Sequence, residues 1–114
     1  MTLPPRLPKR KRREQQLRCP AHLQWIRGFA CSVPGCDKMP IVAAHVRNGT
    51  SGGTSLKPSD EWTISLCNFH HTIQHALGEP RFEGRYGIDM KALAAEFASR
   101  SPALKRMRMK EKAA

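Results

Sequence analysis

Cys67-Asn68-Phe69-His70-His71-Thr72-Ile73-Gln74-His75 puts one cysteine and three histidines into nine consecutive residues. Asn68 is a candidate helix cap and Gly78 a candidate stop, so the stretch reads as a helix. At 100° per residue Phe69, Ile73, Ala76 and Leu77 gather on one apolar face, with His70 at its border. His71 and His75, at i and i+4, lie together on nearly the opposite side, where two imidazoles can hold one ion. Upstream, Cys31-Ser-Val-Pro-Gly-Cys36 offers two thiols across a Pro-Gly turn. Cys31, Cys36, Cys67 and His70 complete the four-ligand set of a closed structural zinc. His71, His75 and the isolated His45 are then left over. Surplus histidines beside a closed site point to a second, open metal position, and so to an enzyme. The alternative is a surface pair, with His70 and His71 sharing a single zinc.

Working outward, residues 40–46 (Pro-Ile-Val-Ala-Ala-His-Val) read as a strand with His45 at its exit. Residues 47–60, with Gly49, Gly52, Gly53 and Pro58, read as a long functional loop. Glu61 to Leu66 alternates Trp62, Ile64 and Leu66 with polar residues, the pattern of a half-buried strand. Residues 20–29 predict a short amphipathic helix opened by Pro20, and Asp89 caps another that runs through Met90, Leu93, Ala94 and Phe97 and stops before Pro102. Cys19-Pro-Ala-His22 also has ligand spacing, but a fifth and sixth ligand are unnecessary, so it reads as packing. Residues 1–17 predict a disordered basic arm around the Lys9–Arg13 run, 18–100 the folded domain, and 101–114 a basic tail.

The chain has 114 residues and a net charge of +11. Residues 1–30 carry eight Lys/Arg against one Glu, residues 31–80 three against four acids, and residues 81–114 nine against four. Basic ends around a near-neutral centre suit a phosphate-backbone binder with a discrete reactive site, although merely solvated tails would look alike. With so few residues left for a core, a metal staple is expected. The basic start is followed by no apolar stretch, so an intracellular, cytoplasmic protein with reduced, metal-bound thiolates is expected, with no disulfides. No apolar run is long enough to span a membrane.

Strand, His45, glycine-rich loop, strand, and Cys67-x2-His70-His71-x3-His75 on a helix together resemble an HNH endonuclease of the ββα-metal (His-Me finger) type with a treble-clef zinc. The resemblance covers about residues 31–80. Ala43-Ala44-His45-Val46-Arg47, Lys57-Pro-Ser-Asp60, Leu66-Cys67-Asn-Phe-His70-His71 and Arg81-Phe-Glu-Gly-Arg-Tyr-Gly87 look similar to phage-encoded recombination-enhancement nucleases and related prophage HNH proteins. That extends the likeness to roughly residues 20–100. The fold it implies is α+β, a small zinc-stabilised ββα-metal domain with flanking helices and disordered basic termini. His45 falls on the general base, and His71 and His75 on the ligands of the catalytic divalent ion (Mg²⁺, Mn²⁺, Ni²⁺ or Zn²⁺). Arg47 would share the face of His45 and clamp a phosphate. The implied substrate is DNA, with a recombinase filament as a further partner. Ala44 stands where many HNH proteins carry a third metal ligand, and the central Asn has no counterpart; Asp60 is the nearest substitute for either. Two other readings stay open: a non-catalytic zinc-stabilised nucleic-acid-binding module, and a regulatory protein that uses its basic arms on an acidic partner.

Overall fold

The computed structural model describes residues 2–7, 17–48 and 58–113. The Lys9–Arg13 run and the loop residues Gly49, Gly52, Gly53 and Lys57 lie outside the described residues. The elements are α1 (Pro20–Ile26), β1 (Ile41–His45), β2 (Thr63–Cys67), α2 (Asn68–Leu77), α3 (Glu79–Tyr86), α4 (Met90–Arg100) and α5 (Pro102–Ala113). The class is therefore α+β, a two-stranded sheet with helices packed about it.

The strands pair antiparallel, with Ile41 opposite Cys67, Ala43 opposite Ser65 and His45 opposite Thr63. This register sets His45 at the connected end of the hairpin, where the chain leaves β1, and Cys67 at the opposite end, where β2 runs into α2. The core face carries Ala44, Val46, Ile64 and Leu66 against Phe82, Met90 and Ala94. The polar positions of β2, expected to face solvent, are buried as well. Their hydroxyls are satisfied locally: Thr63 Oγ1 donates to the Asp60 carbonyl (2.9 Å) and Ser65 Oγ to the Ala30 carbonyl (2.7 Å). A buried hydroxyl with a carbonyl partner avoids the cost of an unmade hydrogen bond, which is why alternation fails to mark an exposed face here.

Three local readings change. Cys67, not Asn68, caps α2, because its sulfur accepts the His70 N–H (3.4 Å). The inward face of α2 centres on His70 and Gln74, while Phe69 is 52% exposed under the Lys38 ammonium (3.9 Å to the ring centre). Residues 102–113, expected as a tail, are helical. Ser101 Oγ accepts the Leu104 N–H (3.3 Å) with Pro102 just inside the helix, and Ala103 and Leu104 bury against Cys19 and Ala98. α3 has no counterpart in the sequence reading. It starts at Gly78 (φ +82°), ends at Gly87 (φ +66°) and buries Phe82. α1 packs on both strands and on α5, and an edge-to-face cluster of Trp25, Phe29 and Phe97 ties it to α4.

Candidate metal centre and the adjoining histidine site

The Pro34-Gly35 turn, with Gly35 at φ +78°, folds Cys31 and Cys36 back toward the junction of β2 and α2. There Cys31, Cys36, Cys67 and His70 converge, their four ligand atoms all within 4.8 Å of one another. His70 Nδ1 lies 3.4, 3.5 and 3.2 Å from the sulfurs of Cys31, Cys36 and Cys67, and the Cys36 and Cys67 sulfurs are 3.9 Å apart. A tetrahedral zinc with bonds of about 2.3 Å to sulfur and 2.0 Å to nitrogen has edges of roughly 3.8 and 3.5 Å. The donor set and its spacing thus fit zinc, as the sequence predicts.

The electrostatics agree. Burial, aided by the Lys38 charge, pushes His70 below its ordinary value and keeps it the neutral ligand a metal needs. Burial raises the Cys31 thiol. It would raise Cys67 too, but hydrogen bonds from the His70 N–H, the neighbouring thiols and the Phe69 N–H leave Cys67 below the usual thiol value. All four cysteines are free thiols, and Cys19 is not in the cluster. Its partner by spacing, His22, is wholly buried, with Nδ1 on Ser101 Oγ at 2.7 Å, so the Cys19/His22 pair is packing.

The second constellation is built at the connected end of the hairpin, where His45 ends β1. His45 Nε2 donates to Asp60 Oδ1 at 2.9 Å. Asp60, 2% exposed, is fixed in turn by the Cys19 N–H on Oδ2 (2.8 Å) and Arg18 Nη1 on Oδ1 (3.3 Å). Burial alone would push its carboxyl up, but the His45 and Cys19 hydrogen bonds and the His45 and Arg18 charges outweigh that and hold it below the ordinary carboxylate value. Asp60 is therefore an anionic anchor for the His45 imidazole.

On α2, His71 and His75 bring their Nε2 atoms to 3.0 Å. Two nitrogens each about 2.1 Å from one ion, in adjacent coordination positions, would be about 3 Å apart, so the pair fits a two-point metal hold. Burial first, then the charges of His75 and His45, lower His71, which favours the neutral ligand form. The field of His45 thus reaches the pair. A direct tie also exists, since Gln74 Nε2, on the same helix, donates to the His45 carbonyl at 3.2 Å.

Two residues of this site escape the sequence reading. Glu79 receives the N–H groups of Arg47 (3.0 and 2.9 Å) and Asn48 (2.7 Å), clamping the chain as it leaves β1. Gln74, 4% exposed, spans from His45 to Glu79 Oε2 (3.5 Å). The only cue for Glu79 was an acid beside Pro80 after a helix-stopping glycine, a first-turn position that carries no chemistry by itself. Arg47, two residues after His45, is exposed.

The fold and cluster define a small α+β protein with a Cys3His group able to hold zinc. Residues 4–104 match the family described as "Protein of unknown function (DUF968)", and the chain belongs to that family. No curated protein and no solved structure matches it. No helix among the described residues is long and apolar enough to cross a membrane.

Proposed function

We propose that this protein is an HNH-type, metal-dependent endonuclease that hydrolyses DNA phosphodiester bonds, using the Cys3His zinc only to hold the hairpin and α2 together. One observation carries the reading. A strand-end imidazole, His45, is anchored by a buried carboxylate and tied to the helix that presents His71 and His75.

The roles follow from the contacts. Asp60 takes the Nε2–H of His45 and so selects the tautomer whose basic nitrogen is Nδ1. Nδ1 accepts a proton from water as the water oxygen bonds to phosphorus and the bond from phosphorus to O3′ breaks. The positive imidazolium formed then gains from the nearby Asp60 charge. His71 and His75 would hold the divalent ion, which when bound supplies Lewis-acid charge to a phosphate oxygen. Arg47 and the exposed cations of α5 supply attraction for the phosphate backbone. Glu79 and Gln74 keep the end of β1 from drifting relative to α2.

The test is conversion of supercoiled plasmid to nicked circles in Mg²⁺, Mn²⁺, Ni²⁺ and Zn²⁺, with His71→Ala and His75→Ala alongside wild type. Nicking that depends on the ion and is lost in both variants, with zinc content intact, supports the assignment. Salt-sensitive DNA binding without nicking in any ion would replace it by the zinc-stabilised binding module.

A further inference from the structure

A cleft of about 200 Å³ lies where the start of β2 meets the elbow between α4 and α5, lined by Glu61, Trp62, Ala95, Ala98, Ser99 and Arg108. None of these residues belongs to the zinc cluster or to the histidine site. We propose that this cleft seats one unpaired base of a single-stranded nucleic acid, stacked on Trp62; the proposal rests on the nucleic-acid part of the function proposed above.

Size limits the occupant. Pockets for whole nucleotide cofactors and drug-sized ligands run to about 300–1,000 Å³, whereas a cavity of about 150 Å³ already admits a benzene ring. A cleft between those bounds takes a single ring system. Its walls suit a flat, polar ring. Trp62 is half-buried against the core, so its indole is held in place and loses little freedom on binding. Ala95 and Ala98, one turn apart on α4, project no more than a methyl group and leave the space open. Glu61 offers an acceptor for an exocyclic amine, and Arg108 donors for ring oxygens or a phosphate.

Charge selects a polyanion over an apolar partner. Lys91 Nζ lies over one face of the Trp62 ring, 5.9 Å from its centre, and Lys105, Arg106, Arg108 and Lys110 are exposed along α5. An aromatic platform with cations beside it is the arrangement that binds single strands without reading their sequence. A paired base is stacked on both faces and cannot enter a slot for one ring, which sets single strands apart from duplex.

The experiment measures fluorescence anisotropy of a labelled mixed-sequence single strand and of the duplex made by annealing it to its complement. It uses the zinc-loaded full chain at one fixed salt concentration without added divalent ion, so nicking plays no part. Two variants are compared with wild type. Trp62→Leu removes the platform, and Ala95→Leu fills the cleft from an exposed helix position without touching the core. The expected result is a loss of about tenfold or more in single-strand affinity for each variant, with duplex affinity and circular dichroism unchanged. Wild-type single-strand affinity in a folded Ala95→Leu protein would overturn the proposal, as would equal losses on both substrates. Nicking by a protein whose single-strand binding ignores Ala95→Leu would remove the base seat and leave the nuclease reading standing. Tenfold discrimination in a protein that nicks nothing would do the reverse.

Discussion

Asp60 shows how one buried charge can tie distant parts of a fold together. Its carboxylate gathers a histidine, a backbone N–H and a guanidinium from three parts of the chain, and it sits below the ordinary carboxylate value despite burial. A depressed carboxyl stabilises the folded chain fully above its unfolded pKa of about 4, and that stabilisation is lost as pH falls through the folded value. Asp60→Asn should therefore cost about 1–3 kcal/mol at neutral pH and flatten the acid limb of stability below about pH 4, read as urea midpoints across pH. The same variant should lower nicking on the order of a hundredfold, because the His45 tautomer is no longer set. His22 also costs stability on acidification, through burial and not through pairing. Burial lowers it, opposed in part by the Asp60 charge, so the unfolded chain takes the proton first and stability falls as pH drops below about 6.5.

At the element scale, the strands β1 and β2, the helix carrying His70, and α4 were all legible as elements, and at α4 the periodicity and the Asp89 cap agree as well. Asp89 Oδ1 does accept the Ala92 N–H, at 3.0 Å. The ligand set Cys31, Cys36, Cys67 and His70 was legible as well, from spacing alone. What could not be read was tertiary. The inward face of α2 is set by His70, a member of the Cys3His group, and by Gln74 reaching His45, so the apolar count placed it wrongly. α3 is short and polar but for Phe82, and α5 has only Ala103, Leu104 and Met107 to pack, a stripe too narrow to outweigh its charges in the sequence. Ser101-Pro102 did hold the cap signal, and reading Pro102 only as a stop missed it. Because Cys67 is both a ligand and the cap of α2, Cys67→Ala should remove more than a thiolate. It should abolish bound zinc, which is expected at one per chain, and unfold the hairpin–α2 unit, as should chelation of the wild type; metal analysis and circular dichroism read both.

For the whole molecule, the net charge of +11 gains a geometry, since the exposed cations of α5 stand on a helix docked to the domain. Ordered cations neutralise phosphates in fixed register. Replacing Lys105, Arg106 and Lys110 by Gln should reduce the slope of log affinity against log salt by about 2–3, at roughly 0.7–0.9 per lost phosphate contact, whatever the DNA sequence. A smaller change would assign binding to other basic residues. The proposed hydrolytic site turns on His45, the imidazole paired with Asp60, which the proposal makes the general base. The most direct test is the single-turnover rate of plasmid nicking by wild type and His45→Ala, matched for zinc content and circular dichroism, in the ion that best supports the wild type. Nicking by the wild type and a loss of at least about a hundredfold in the variant are expected, as His45 would be the general base. Equal rates would contradict that role.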